Sequence, residues 1–230
     1  MNQEFFNHLE SALSSDRLDS YRQDGVGPAE TMGRYLWNIA LCQSLYAPLQ
    51  MCEVALRNAI HREMTTLYSP NWFETVRLTD WALQQIANAK SMINKFGRGV
   101  ISGRLVSELH LGFWTSLFDG YYERLPDFLA RTIKKIFPAM ANSQRNRKNI
   151  KDRLDQIRKL RNRVFHHERI IHWKDLCDQH AHLIETIGWI SPEVAELALK
   201  LDRFLETYRA GLNPWIEALR NHWPAPPTVA

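Results

Sequence analysis

The sequence predicts an all-α protein, because helical periodicity recurs along most of the chain and strand-like alternation is hard to find. Glycine and proline number ten each in 230 residues, so breaks between helices are few. The apolar share of 45% and the eight tryptophans predict a packed core rather than a disordered chain. Because no linker or shift in composition divides the sequence, we expect one domain over residues 1–230, with an N-terminal arm at 1–28 and a frayed tail at 223–230.

The first half of the chain contains three clear helical segments. A short helix is predicted over 5–13, and Ser14 follows it with capping chemistry. A long helical segment runs over about 29–66, and Pro48 should kink or split it, because proline lacks a backbone donor. Thr79 is the predicted N-cap of a helix that ends near residue 97.

The second half continues in the same way. Its predicted helices begin at about 102 and about 126, cover 143–167 and 172–186, and run from 192 to about 222. Ser191 and Pro192 mark the start of the last one, with serine as the cap and proline at the first helical position. The aromatic-rich stretch 112–122 lies before the basic helix, and we expect its rings to be core rather than a base-stacking platform.

The basic helix over 143–167 carries an arginine on its apolar side. At about 100° per residue, one stripe collects Ile150, Leu154, Ile157, Leu160, Val164 and Phe165. Arg161 falls inside this stripe, and Asn162 and His166, four residues apart, share the neighbouring face. An arginine that points toward a core or an interface is costly unless it is paired or used. The position of Arg161 is therefore the best functional clue in the chain.

Two histidines, His166 and His167, end this helix. The helix dipole favours a protonated imidazole there, and a histidine that gains or loses a proton near neutral pH suits general acid–base catalysis. Beside an arginine that can hold a phosphate, it suits phosphodiester cleavage. The alternative is that the pair only caps the last carbonyls of the helix, and for His167 this alternative is the favoured one.

The same helix is rich in lysine and arginine, in a chain of net charge +4. We expect RNA-binding roles for Arg145, Arg147, Lys148, Lys151, Arg158, Lys159 and Arg163. The alternative interpretation is a solvated face of a surface helix without a polyanion partner.

An earlier helix carries a carboxylate on its apolar side. Glu53 lies on the stripe of residues that includes Leu49 and Leu56, so it needs a cationic partner. Arg57 can provide one within the helix, and Arg161 can provide one across a helix–helix contact. Glu53 and Arg57 are therefore candidate supporting residues for the site, and a purely structural Glu53–Arg57 pair is the alternative.

Other chemistries lack their sequence patterns. No HExxH spacing or cysteine pair indicates a metal, the three scattered cysteines form no disulfide pattern, and no phosphate-binding glycine loop or GxSxG motif is present. We expect no cofactor and no metal. Without an apolar run of membrane length or a secretory leader, we expect a cytoplasmic protein with no membrane contact.

Three stretches, in order, resemble the Abi-like (abortive infection, AbiD/AbiF-type) proteins of bacteria, within the HEPN superfamily. Residues 160–168, Leu-Arg-Asn-Arg-Val-Phe-His-His-Glu, resemble the RNxxxH-type signature of that family. Residues 108–118 resemble its central aromatic block, and residues 53–60 resemble its early Glu-x-x-x-Arg-Asn helix. The resemblance covers most of the chain and implies a HEPN-like helical bundle with additional helices.

The resemblance also implies a function. Many such proteins are metal-independent endoribonucleases of phage defence or toxin type, so RNA is the expected substrate. Arg161 and His166 match the catalytic arginine and histidine, and Asn162 matches the polar residue beside them. The family's active site is usually composite, which implies a homodimer, and an antitoxin or phage-derived activator is a possible further partner.

The chain departs from some relatives at Glu168, where those toxins carry a tyrosine that a partner enzyme modifies. Some members of the superfamily bind RNA without cleaving it, so a non-catalytic RNA-binding or sensor module is the second hypothesis. A helical protein that only mediates protein interactions is the third, and it predicts no salt-dependent affinity for RNA.

Overall fold

The computed structural model describes residues 1, 3–22, 24–124 and 128–221, and every regular element in these ranges is a helix. The all-α prediction is therefore confirmed for this part of the chain. The predicted tail at 223–230 and the predicted helix start at 126 lie outside the described residues.

The helices are numbered in chain order. They are α1 (Gln3–Leu13), α2 (Ser15–Asp19), α3 (Pro28–Leu67), α4 (Trp72–Thr75), α5 (Asp80–Lys95), α6 (Ser102–Glu108), α7 (Leu111–Ser116), α8 (Gly120–Glu123), α9 (Leu129–Ile136), α10 (Arg147–Phe165), α11 (Leu176–Ile190), α12 (Pro192–Leu201), α13 (Phe204–Ala210) and α14 (Asn213–Asn221).

Capping residues start several helices where the sequence predicted. Thr79 accepts a hydrogen bond from the Ala82 backbone at 3.3 Å and starts α5. Ser191 accepts one from the Val194 backbone at 3.3 Å and starts α12. Such bonds satisfy amide groups that have no partner within the helix.

The helix predicted over 172–186 is α11, Leu176–Ile190, and two further predictions were wrong because polar side chains that bind the backbone inside the segments were overlooked. The basic helix begins at Arg147 rather than at 143, since the Asn146 side chain accepts from the Asn149 backbone at 2.9 Å. The helix predicted from 192 to about 222 is three helices, α12 to α14. Asp202 accepts from the Phe204 backbone at 2.9 Å, and Gly211, with φ of 69°, ends α13.

Of the two predicted effects of Pro48, a kink or a split, the split does not occur, because α3 continues through this residue. Pro48 itself is buried, and its neighbours Leu45 and Leu49 are no more than 2% exposed. Tertiary packing along this helix therefore outweighs the backbone hydrogen bond that proline cannot donate.

Backbone contacts divide the chain into two compact units. Unit 1 is residues 1–46, 163–178 and 202–230, and unit 2 is residues 47–162 and 179–201. Three of the boundaries fall inside helices α3, α10 and α11. No loop or change in composition marks them, which is why the sequence pattern gave no sign of the division.

Unit 2 has an aromatic core. The rings of Trp72 and Phe73 stack with centroids 3.9 Å apart, and Trp72 contacts Trp114 with centroids 6.4 Å apart. Phe113 and Tyr122, from the stretch predicted to be core, are at most 1% exposed. That prediction is confirmed for these rings, whereas their neighbour Tyr121 is 37% exposed.

Unit 1 has a smaller core, and the residues expected to form an N-terminal arm contribute to it. Phe6 and Leu18 are buried with Met32 and Leu219 in one cluster. The N-terminal amino group donates to the Leu219 carbonyl at 2.9 Å. Helices α1, α2, α3 and α14 therefore share one apolar centre.

Among the described helices, α3 is long and apolar enough to cross a membrane, with a mean hydropathy of 1.2 over 18 residues. This is weak evidence for a membrane span, because a core helix of a soluble protein meets the same criterion. Leu41, Leu56 and Met64 of α3 are fully buried inside the protein, and 33% of the apolar window is buried.

Candidate functional site

Within unit 2, Arg161 of α10 pairs with Glu53 of α3. The Arg161 Nε and Glu53 Oε2 atoms are 3.4 Å apart, and the two side chains are 22% and 17% exposed. This is one of the two pairings that the sequence allowed. The other, within α3, is not formed, because Arg57 instead donates to the Ser107 carbonyl at 3.5 Å. The carboxylate thus offsets the cost of a half-buried guanidinium.

The apolar stripe around Arg161 is covered within the chain itself. Ile150 and Leu154 belong to the core of unit 2, and Ile157 and Leu160 are also buried. These four residues are buried without a partner subunit, and the expected homodimer stays a prediction. Arg161 is therefore a half-buried residue with a charged partner, and it does not lie on an open apolar surface.

Asn162 follows Arg161 on α10 and is exposed. No hydrogen bond of its side chain is found among the described residues, so its amide is available to a ligand. Unit 2 thus contains an arginine that is held by an ion pair, and the next residue in the sequence has an exposed amide side chain.

Within unit 1, a left-handed turn ends α10. The His167 amide donates to the Val164 carbonyl at 3.2 Å, and the Glu168 amide donates to the Arg163 carbonyl at 2.8 Å. His167 has a φ of 58°, a region that glycine or asparagine usually occupies at this position. These two backbone hydrogen bonds fix the positions of His166 and His167 at the C-terminal end of α10.

Further contacts within unit 1 hold this turn. Arg17 of α2 donates to the His167 carbonyl, and Arg163 forms an ion pair with Glu168. Asn38 of α3 accepts from the Ile170 backbone at 2.8 Å and donates to the Glu168 carbonyl at 3.3 Å. The turn is therefore fixed from both sides by polar side chains that bind its backbone.

The histidine rings themselves remain accessible. His166 and His167 are both exposed, and within the described part of the chain neither ring makes a hydrogen bond or ion pair. The predicted capping role of His167 is fulfilled by its backbone amide, which leaves the imidazole for other contacts.

The predicted site residues are distributed over both units. Arg161 and Asn162 belong to unit 2 with Glu53 and Arg57, whereas His166 and His167 belong to unit 1. Each group has a defined geometry within its own unit.

Many of the basic side chains predicted to bind RNA have protein partners. Arg147 donates to Glu123 at 2.8 Å and to the Phe118 carbonyl at 3.1 Å. Lys151 lies 3.0 Å from Asp119 and 2.7 Å from Asp155. Arg145 is bonded to the Asn142 side chain and to the carbonyls of residues 138 and 140. Arg147 and Lys151 thus attach α10 to residues 118–123, and Arg145 holds the loop before α10, so these side chains have structural roles.

The remaining predicted basic residues are closer to solvent. Lys148 is 77% exposed and pairs with Asp152 at 2.8 Å, and Arg158 is 43% exposed near Asp155. Lys159 is exposed, and Arg163 is 42% exposed in unit 1. These four are the members of the set that a polyanion can reach.

Sequence reasoning missed Arg17, Asn38 and Tyr46. The first two bind the backbone of the turn after α10, and the ring of Tyr46 stacks on Phe165 with centroids 5.4 Å apart and planes at 30°. Tyr46 is 52% exposed, and this exposure became clear only in the structure. The backbone contacts of the other two had no signal in sequence.

In the described residues, no three side chains among histidine, cysteine, aspartate and glutamate are grouped as metal ligands. All three cysteines are free thiols, and burial raises the pKa of Cys52 to about 12. No protein-family model, no curated protein and no solved structure matches this chain. The interpretation of the site therefore rests on its residues and their contacts.

Proposed function

We propose that this protein is a metal-independent endoribonuclease with a HEPN-like helical bundle. The observation that supports this proposal best is the end of α10, where His166 is exposed on a turn fixed by two backbone hydrogen bonds and by contacts of Arg17, Asn38 and Arg163. A general acid–base needs an accessible imidazole in a defined place. A non-glycine residue with positive φ beside it is the kind of backbone strain that concentrates at functional sites.

The proposed reaction is an internal transesterification of RNA. A ribose 2′-oxygen attacks the adjacent phosphorus, the bond from phosphorus to the 5′-oxygen breaks, and a 2′,3′-cyclic phosphate and a 5′-hydroxyl result. His166 moves protons between the 2′-hydroxyl and the leaving 5′-oxygen. Arg161 stabilises the negative charge of the phosphorane, and Asn162 orients the histidine or contacts phosphate.

Glu53 has a positioning role in this proposal. Its carboxylate lies 3.4 Å from the Arg161 Nε atom, and this ion pair restricts where the guanidinium can lie. Arg57 contributes to the same region of unit 2 through its bond to the Ser107 carbonyl. Lys148, Arg158, Lys159 and Arg163 supply the electrostatic attraction for the RNA backbone.

The biological setting is proposed from the sequence resemblance. We propose a cytoplasmic protein of phage defence or toxin type. It acts as a homodimer with a composite active site, and an antitoxin or a phage-derived activator controls it. The resemblance is the support for the homodimer.

One observation favours a second function, a non-catalytic RNA-binding or sensor module. Arg161 already has a carboxylate partner, and such a pair is a structural reason for a half-buried arginine. In this alternative His166 contacts RNA without moving protons.

The deciding experiment incubates purified protein with labelled RNA. The enzyme proposal predicts cleavage that His166→Ala abolishes and that His110→Ala, a change at an exposed histidine of unit 2, leaves intact. Salt-dependent binding without cleavage would favour the sensor module. Neither binding nor cleavage would contradict both.

A further inference from the structure

A small groove in unit 1 adjoins the turn that carries the histidines. It has a volume of about 360 Å³ and is lined by Ile39, Cys42, Gln43 and Tyr46 of α3 and by Val164, Phe165 and His167. Its walls are mostly apolar carbon, and its volume is within the range of small-molecule binding sites. Since His167 is one of its walls, the groove opens beside the proposed acid–base residue His166.

An aromatic pair forms one side of the groove. Tyr46 is 52% exposed, and its ring is stacked on that of Phe165, which is half-buried. Phe165 therefore supports Tyr46 from one side. A flat, exposed aromatic face of this kind is the platform on which single-stranded nucleic acids stack their bases.

The floor of the groove carries no charge. Burial raises the pKa of the Cys42 thiol to about 11, so the sulfur stays protonated at neutral pH. Gln43 is exposed, and no hydrogen bond of its amide is found among the described residues. Its carbonyl and amino groups can together contact the edge of a planar ring that offers both a donor and an acceptor.

A positive charge lies at the edge of the groove. Arg17 donates to the carbonyl of His167 and is close enough to Cys42 to lower the pKa of that thiol against the effect of burial. Within the described residues no carboxylate pairs with Arg17. The groove thus combines a neutral apolar slot with a cation at its edge, which matches a nucleotide with its neutral base and anionic phosphate.

We infer that this groove binds one unpaired nucleobase of the RNA substrate, stacked on Tyr46 and contacted along its edge by Gln43. The inference rests on the proposed ribonuclease function and extends it, because it assigns a base-binding subsite to single-stranded RNA. It also predicts that base-paired RNA is a poor substrate, since a base within a duplex cannot enter the slot.

The test measures binding apart from cleavage. A short single-stranded oligonucleotide with 2′-O-methyl riboses lacks the attacking hydroxyl, so its affinity for the wild-type protein can be measured by fluorescence anisotropy. Tyr46→Ala should weaken binding about 5- to 140-fold, the effect of losing one stacked base. Tyr46→Phe keeps the ring and should bind within about 3-fold of wild type. Phe96→Ala removes an exposed ring of unit 2, away from the groove in sequence. It is the matched control and should leave the affinity unchanged.

An oligonucleotide series in which each position in turn is abasic identifies the base that occupies the groove. One position should lose affinity in the wild-type protein and lose nothing further in Tyr46→Ala. Gln43→Ala should reduce the preference among the four bases at that position. Thermal melting of each variant establishes that it is folded.

The outcomes separate this inference from the proposed function. Wild-type affinity in a folded Tyr46→Ala variant, or equal affinity for every abasic oligonucleotide, overturns the base-binding groove even if RNA is cleaved. Tyr46-dependent binding without any cleavage upholds the groove and contradicts the ribonuclease. A wild-type protein that binds no RNA contradicts both.

Discussion

At the scale of single residues, the guanidinium of Arg161 has two proposed roles, one in stability and one in catalysis. Its Nε atom faces Glu53, so part of its charge already serves the fold. A catalytic role requires the remaining nitrogens to reach a phosphate. Lysine keeps the charge but lacks the forked donor geometry, so it separates the two duties.

Arg161→Lys should therefore keep most of the stability and lose cleavage. Arg161→Ala should lose both, with a fall of about 1–3 kcal/mol in the free energy of unfolding, because the pair is neither fully exposed nor fully buried. Urea denaturation and a cleavage assay measure these effects in parallel. Arg62→Ala, at an exposed ion pair of the same unit, is the control for losing an arginine.

If Arg161→Lys cleaves RNA at the wild-type rate, the guanidinium has only a structural duty. An Arg161→Ala protein that fails to fold would also count against the catalytic assignment, since it would make the ion pair the main reason for the residue.

At the scale of elements, α10 shows that a helix can contain more lysine and arginine residues than it exposes to solvent. Arg153 lies over the Trp189 ring at 4.6 Å and bonds Glu185 at 2.6 Å, whereas Lys148 on the same helix extends into solvent. Both residues count equally toward net charge. Only the exposed one is placed to exchange its counterions for RNA phosphates.

Lys148→Ala should accordingly reduce the slope of log affinity for single-stranded RNA against log salt by about 0.7, the loss of one phosphate contact. Arg153→Gln should leave this slope unchanged and lower thermal stability instead. Titrations at several salt concentrations measure the slope. Equal slopes for wild type and Lys148→Ala would remove this face of α10 from the RNA interface.

A second element-scale feature is the connection between α3, α4 and α6 through His61. The Trp72 indole donates to His61 Nδ1 at 3.0 Å, and His61 Nε2 lies 3.2 Å from Ser102 Oγ. Ser102 in turn donates to the Pro70 carbonyl at 3.0 Å. The accepting Nδ1 requires a neutral ring with its proton on Nε2, and burial lowers the pKa of His61 below its usual 6.5.

The free energy of unfolding should therefore fall as the pH drops below about 6.5, because the unfolded chain binds a proton that folded His61 resists. This contribution is complete above the unfolded pKa and is lost toward the lower folded pKa. His61→Gln should show a smaller fall between about pH 7 and pH 5. Some pH dependence of the same sign should remain, since burial and Arg169 also lower the pKa of His172. An unchanged profile in His61→Gln would contradict this account.

The elements also show what the sequence could and could not predict. Helices with a cap at the predicted place, such as α5 after Thr79 and α12 after Ser191, were predicted at the correct start. Boundaries failed where two signals competed, as at Asp202, where a cap interrupts an apolar period. The Glu53–Arg161 pair was predictable as one of two options, because a carboxylate on an apolar face needs a cation. The choice between them depends on the packing of α3 against α10, which periodicity does not encode.

At the scale of the whole molecule, each unit is assembled from segments distant in sequence. Unit 1 combines the N-terminal residues with 163–178 and with the C-terminal helices. Unit 2 combines residues 47–162 with 179–201, so residues 163–178 of unit 1 separate its two segments in sequence. Because long helices cross the boundaries, periodicity shows only an uninterrupted helical chain. Which helices share a core follows from long-range packing, and a single sequence carries little information about it.

A composite active site makes a prediction about mixed subunits. Arg161→Ala and His166→Ala chains should each be inactive alone. If Arg161 of one chain acts with His166 of another, mixing them should restore up to about a quarter of the wild-type rate, since random exchange makes half of the dimers mixed and each mixed dimer rebuilds one of its two sites. Cleavage assays before and after subunit exchange measure the recovery, and light scattering measures the oligomeric state. A stable monomer with full activity would rule out the composite site.

The central claim is that His166 and Arg161 cleave RNA by transesterification without a metal. The most direct measurement is cleavage of a labelled RNA in excess EDTA, with mass spectrometry of the new 3′ ends. We expect undiminished cleavage that leaves a 2′,3′-cyclic phosphate or its hydrolysis product, and no cleavage by His166→Ala. Activity that EDTA abolishes and a divalent ion restores, or products that carry a 3′-hydroxyl, would contradict it.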